Sequence, residues 1–240
     1  MVTEQLAAPQ TARMTLSRVT ATAGLATLVL VLGTSIANGY QSAPFTSDTD
    51  KVMSFFKSLD DAVGAASSWL TSVGLIGMLW FAIGLALLLR RYEGELPWRS
   101  AFLAGAGVLS VVSGQIASWD AAVYRSTDIE PQVARYAFDL GNVSFANGWV
   151  ATGALAVCAG SLILSSGDLP RWLGWWALAV GIAQVLARAV WTNDLAFVPF
   201  TLYWIWTAAI CVLLFTGRFA RVAPDQAAAI WRRRDAGPEA

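Results

Sequence analysis

Six long apolar runs, each without a charged residue near its middle, constrain this chain more than any other feature of its sequence. They lie at about residues 19–37, 69–89, 101–119, 143–164, 172–190 and 195–215. A run of about 20 apolar residues wound as an α-helix spans the roughly 30 Å hydrocarbon core of a bilayer. Lipid offers no partner to an exposed backbone amide, so each run is expected to be a helix that satisfies its own backbone. Charged residues make up 13% of the 240 residues. That is roughly half of the ~25% typical of a water-soluble domain. The expected fold is all-α, a polytopic bundle of six transmembrane helices within residues 19–217, with cytoplasmic tails at 1–18 and 218–240 and no separate soluble domain.

Composition removes several functions. The 16 Lys+Arg balance the 16 Asp+Glu, so no basic field marks a nucleic-acid partner, and none is expected. Histidine is absent. Its absence takes away the commonest general base, the Ser-His and Cys-His pairs, the usual haem ligand and most zinc sites. The sequence contains no G-x-x-x-x-G-K-[ST], H-E-x-x-H, C-x-x-C or G-x-S-x-G, and no catalytic residue, cofactor or metal is assigned. Cys158 and Cys211 sit in apolar runs, where a free thiol packs as a small hydrophobe.

Arg13 and Arg18 precede the first run, a start-in arrangement. That run is longer than the roughly 7 to 15 residues of a signal-peptide core, so it is read as an uncleaved helix, although Ser35-Ile36-Ala37 resembles a cleavage site. Short loops rich in Lys and Arg stay cytoplasmic. With both termini inside, eleven of the sixteen basic residues fall on the cytoplasmic side, among them Arg90, Arg91, Arg99, Arg171 and Arg218. Lys51, Lys57, Arg125, Arg135 and Arg188 fall on the other side.

Two segments are expected to lie on the membrane. Between Ser47 and Val63 the residues Val52, Phe55, Phe56, Leu59 and Val63 recur at helical spacing, with Ser47 and Asp50 forming a cap. An extracytoplasmic amphipathic loop helix is the expectation, with a lid over a cavity as its functional version. Residues 224–234 form either a short cytoplasmic helix or a solvated tail. Glycine rows at 74, 77 and 84, and at 153 and 160, are read as helix-packing surfaces, Gly167 and Pro170 as a turn, and Pro199 as a kink.

Polar groups at membrane depth are expensive and therefore point to function. Gln115, Asp120, Asp139, Asn142, Asn147, Gln184, Arg188 and Asp194 are all expected near the extracytoplasmic boundary, where they form a polar rim. Arg188 either pairs with Asp120, Asp139 or Asp194 to order the helices, or joins Gln184, Gln115 and Asn147 in lining a site for an anionic or amphipathic ligand. A reacting carboxylate pair is a third reading.

From about Leu87 to Arg218 the chain resembles an uncharacterised group of bacterial, often actinobacterial, six-helix integral membrane proteins. The resemblance rests on Arg90-Arg91-Tyr92-Glu93-Gly94-Glu95, on Asp139-Leu140-Gly141 before the fourth run, and on Leu169-Pro170-Arg171-Trp172-Leu173-Gly174-Trp175. It implies six helices in a bacterial inner membrane and carries no activity with it. The partners expected are the bilayer, a lipid-like or anionic small ligand, and a partner membrane protein or a second copy of the chain. The functional expectation is a non-enzymatic membrane protein that binds a lipid-like ligand or a partner at its polar rim. The alternatives are a small-solute or ion transporter and a membrane-embedded enzyme using carboxylates.

Overall fold

The described residues of all six apolar runs are helical in the structure, a computed structural model that describes residues 10–37, 48–59, 62–93, 96–114, 117–166 and 169–216. The helices are α1 (Gln10–Ala37), α2 (Thr49–Leu59), α3 (Ala62–Leu89), α4 (Trp98–Gly114), α5 (Ala117–Tyr124), α6 (Pro131–Ser166), α7 (Arg171–Ala187) and α8 (Phe197–Phe215). Short 3₁₀ turns occupy Arg90–Tyr92, Arg188–Val190 and Asp194–Ala196. Among the described residues six stretches are long and apolar enough to cross a membrane: Thr11–Thr34, Ala62–Tyr92, Trp98–Tyr124, Pro131–Ser166, Arg171–Val190 and Asp194–Phe215. Gln115, Gly167, Ser47 and residues 224–234 lie outside the described residues.

The spans pack in chain order as a closed ring, α1 on α3, α3 on α4, α4 on α6, α6 on α7, α7 on α8 and α8 back on α1. Ser17 on α1 closes the ring by donating to the Leu214 carbonyl at 2.8 Å. α3 and α6 are the most enclosed spans. They supply Phe81, Leu85, Leu155 and Leu162 to a core shared with Tyr203 and Trp206 of α8. Trp206 donates its indole N–H to the Leu173 carbonyl at 3.1 Å, which fixes α8 against α7.

Two seams of small residues hold the ring, because helices in lipid gain stability chiefly from close packing. In the antiparallel α6–α7 pair, a Cβ on Gly153 would stand 2.7 Å from the Gly181 carbonyl oxygen, and one on Gly181 would stand 2.6 Å from that of Gly153. Gly160 repeats the arrangement against Gly174, also at 2.7 Å. In the α1–α3 pair, Thr20, Thr27 and Thr34 face Gly84, Gly77 with Gly74, and Thr71 respectively. Thr27 donates to the Gly74 carbonyl at 2.9 Å, and the Thr34 and Thr71 hydroxyls lie 2.9 Å apart.

The fourth membrane run is the middle of a longer element. α6 starts at Pro131 rather than at residue 143, and its 36 residues reach about 54 Å, well beyond the ~30 Å core. Proline is suited to that first position, where its missing N–H is not needed. The extra turns carry Ala134 and Phe138 into a second apolar cluster with Val52, Phe55 and Phe56 of α2 and Ala122 of α5. Trp119 stacks on Phe138 at 6.0 Å and donates to the Phe138 carbonyl at 3.2 Å. Gly141 lies within α6, where a Cβ would collide with the Trp119 indole.

The ends of the other helices differ from expectation in small ways. Asp48 caps α2, its Oδ1 accepting from the backbone of Asp50 at 3.0 Å. Pro170 stands at the N-cap of α7, as its sequence position suggests. Pro199 falls in the first turn of α8, where it breaks no helical hydrogen bond, so the expected kink has no cause. Asn193 closes the α7–α8 hairpin by accepting from the Leu195 backbone at 2.9 Å.

Candidate functional site

Among the described residues, those predicted to form one rim do not form a single cluster. On the α6–α7 seam the glycine pairs continue into a ladder of polar rungs. Thr152 donates to Gln184 Oε1 at 3.0 Å, and one turn further along, Arg188 Nε donates to Asn147 Oδ1 at 2.8 Å. The guanidinium also lies 6.0 Å from the centre of the Trp191 ring. Arg188 is half-buried and Asn147 exposed, whereas Gln184 is wholly enclosed, with no accessible surface.

Gln184 is the unusual member. Its amide oxygen is satisfied by Thr152, but its Nε2 has no hydrogen-bond partner. The indole N–H of Trp149, one turn from Thr152 on α6, is likewise buried without a partner. Trp149 packs with Ala187 and Ala196, and its ring meets Phe145 at 5.8 Å and Phe197 at 5.3 Å. A buried donor without an acceptor costs on the order of 1–3 kcal/mol, so two on adjacent rungs of one seam demand a reason.

The remaining predicted residues among those described stand apart from this ladder. Asp120 on α5 accepts from Ser68 on α3 at 2.8 Å. Asp139 and Asp194 are exposed, and Asn142 is buried in α6. None of the ion pairs among the described residues joins Arg188 to Asp120, Asp139 or Asp194. The expected salt bridge is replaced by the neutral Asn147 partner. The expected lid fails too, since the buried face of α2 is used on Ala122, Ala134 and Phe138 rather than on Gln184 or Arg188. An open groove of about 440 Å³ lies between α5 and α6, lined by Arg125, Glu130 and Tyr136 among others, and none of the predicted residues among those described lines it.

At the opposite end of the bundle, sequence reasoning missed a second polar cluster. The Glu93 side chain is only 1% exposed, and its two oxygens accept the backbone N–H groups of Arg99 at 2.7 Å and Ser100 at 2.8 Å. It thus caps the N-terminus of α4 with a carboxylate, where the helix dipole favours negative charge. Arg99 Nε lies 3.3 Å from Glu93, and its Nη1 reaches α6 at Ser165 Oγ, 3.0 Å away. Burial opposes ionisation of Glu93, but the hydrogen bonds from Ser100 and Arg99 outweigh it and hold the carboxyl below its usual range. The signal was present in the R-R-x-E-G-E string, an acid placed just ahead of a helix start.

No family model, curated protein or solved structure matches the chain. The functional reading therefore rests on the geometry of these two ends.

Proposed function

We propose that the protein is a multi-pass protein of a bacterial cytoplasmic membrane, with both termini cytoplasmic, that binds a lipid-like anionic ligand at the Arg188 end of the α6–α7 seam. In this orientation the Arg188 end faces the extracytoplasmic side, as does α2, and the Glu93–Arg99 cluster faces the cytoplasm. The bias of Lys and Arg towards the second side supports it, as does the resemblance carried by the arginine pair Arg90-Arg91.

The observation that carries the binding reading is Gln184, a fully enclosed amide at membrane depth with an unpaired N–H₂ one turn below a half-buried arginine. A purely structural glutamine would be expected to satisfy both ends of its amide. The arginine offers charge and further donors to an anion, while the asparagine orients it through Nε. The polar rungs of the α6–α7 seam lie towards its Arg188 end, and such a one-ended placement on that seam suits a binder better than a transporter, which needs a polar path across the bilayer.

Native mass spectrometry of the protein in mild detergent, run beside Arg188→Ala, tests this. A specific anionic amphiphile retained by the wild type and lost from an equally folded variant is the expected result. Wild type and variant both free of any retained molecule would sink the proposal and turn attention to a partner protein.

A further inference from the structure

We infer that the α6–α7–α8 corner recognises an ester-linked anionic lipid, with its phosphate at Arg188 and an acyl carbonyl oxygen at the Gln184 amide and the Trp149 indole. This rests on the reading of the Arg188 end as a ligand site and names the chemistry that site selects. Three buried side-chain nitrogens at this corner lack partners: Gln184 Nε2, Trp149 Nε1 and Trp204 Nε1. All three are donors. Phe200 bridges the two tryptophans, its ring 6.1 Å from that of Trp149 and 5.9 Å from that of Trp204.

Unpaired donors are best met by a ligand group that accepts without donating. A hydroxyl or amine would bring hydrogens of its own, for which Gln184 Oε1 and Asn147 Oδ1, already accepting from Thr152 and Arg188, and the Thr152 hydroxyl offer only their remaining lone pairs. An ester carbonyl fits. The vertical spacing fits as well, since Gln184 and Arg188 are four residues apart on one helix face, about 6 Å along the axis. In an acylated glycerophosphate the first ester carbonyl lies at comparable depth below the phosphate. The rings of Phe145, Phe197 and Phe200 around Trp149 supply an apolar wall for the chain that follows.

The test compares two phosphatidates with the same headgroup and chains, one diacyl and one dialkyl. The second has ether oxygens and no carbonyl. Binding of each to the full-length protein in detergent is measured by thermophoresis, for wild type, Gln184→Leu, Trp149→Phe and Arg188→Ala. Wild type should hold the ester lipid roughly tenfold more tightly than the ether lipid, the scale of one buried hydrogen bond to a neutral acceptor. Gln184→Leu and Trp149→Phe should each shrink that ratio while leaving binding dependent on Arg188. Trp149→Phe keeps an aromatic ring, so a fold defect in the glutamine variant does not decide the outcome alone. Equal affinities for ester and ether in wild type, with binding still lost in Arg188→Ala, would overturn this inference and leave the anionic site standing. No binding of either lipid to wild type would overturn both.

Discussion

Single residues set the closest approach of α6 and α7. Gly153 and Gly181 each stand where a Cβ would press on the facing carbonyl, at 2.7 and 2.6 Å. Gly181→Ala should therefore cost about 1–3 kcal/mol despite the gain in helix propensity. Gly105→Ala, where nothing lies within 4 Å of the added carbon, should leave thermal unfolding in detergent unchanged or raise its midpoint. Glu93 gives a second prediction at this scale. Its folded-state pKa is depressed, so its contribution is fully present above the unfolded value of 4.5 and is lost as pH falls through the folded value. Glu93→Gln should lower stability at pH 7 by about 1–3 kcal/mol and flatten the acid limb of a stability-against-pH curve. The role of Gly141 was not readable from its position in Asp139-Leu140-Gly141, because the collision it avoids involves Trp119, a residue on another helix.

Whole elements were legible where hydrophobicity sets them and illegible where partners do. The six membrane runs stand out because lipid penalises any charge within them. The first turns of α6 do not, because Pro131 to Asn142 includes Arg135 and Asp139 and is helical through its contacts with α2 and α5. α2 is the converse case: its period-3.6 pattern was visible, but its true substrate, the Phe138 face of α6, was not. Phe56 is fully buried in that cluster. Phe56→Ala should cost about 3–5 kcal/mol locally. Hydrogen exchange should then rise in α2 and the start of α6 while α3, α7 and α8 stay protected; uniform loss of protection would mean that the cap and the bundle are one cooperative unit. The α1 threonines at 20, 27 and 34 share a seven-residue spacing that could have announced the α1–α3 seam.

For the molecule as a whole, short connections make α3–α4, α6–α7 and α7–α8 antiparallel neighbours, whereas the pairing of α1 with α3 and of α4 with α6, across longer connections, and the closure of α8 on α1 needed the structure. The proposed orientation predicts opposite labelling of two single cysteines in a background lacking Cys158 and Cys211. Asp128→Cys should react with an impermeant maleimide in intact cells, and Arg171→Cys only after permeabilisation; the reverse pattern would invert the topology. The predicted rim was only half legible, because depth can be counted along a helix but the face a residue turns to cannot. Depth alone put Asp120 and Arg188 together, yet they serve different helix pairs.

The most direct measurement is photoaffinity labelling in native vesicles with a diazirine-bearing phosphatidate, mapped by peptide mass spectrometry. Labelling concentrated on α6 around Phe145 and Asn147 and on the Arg188–Phe200 hairpin, and lost in Arg188→Ala, is the expected result. Labelling spread evenly over lipid-facing residues such as Trp80 and Val112, and unchanged in Arg188→Ala, would contradict a lipid site at the α6–α7 seam.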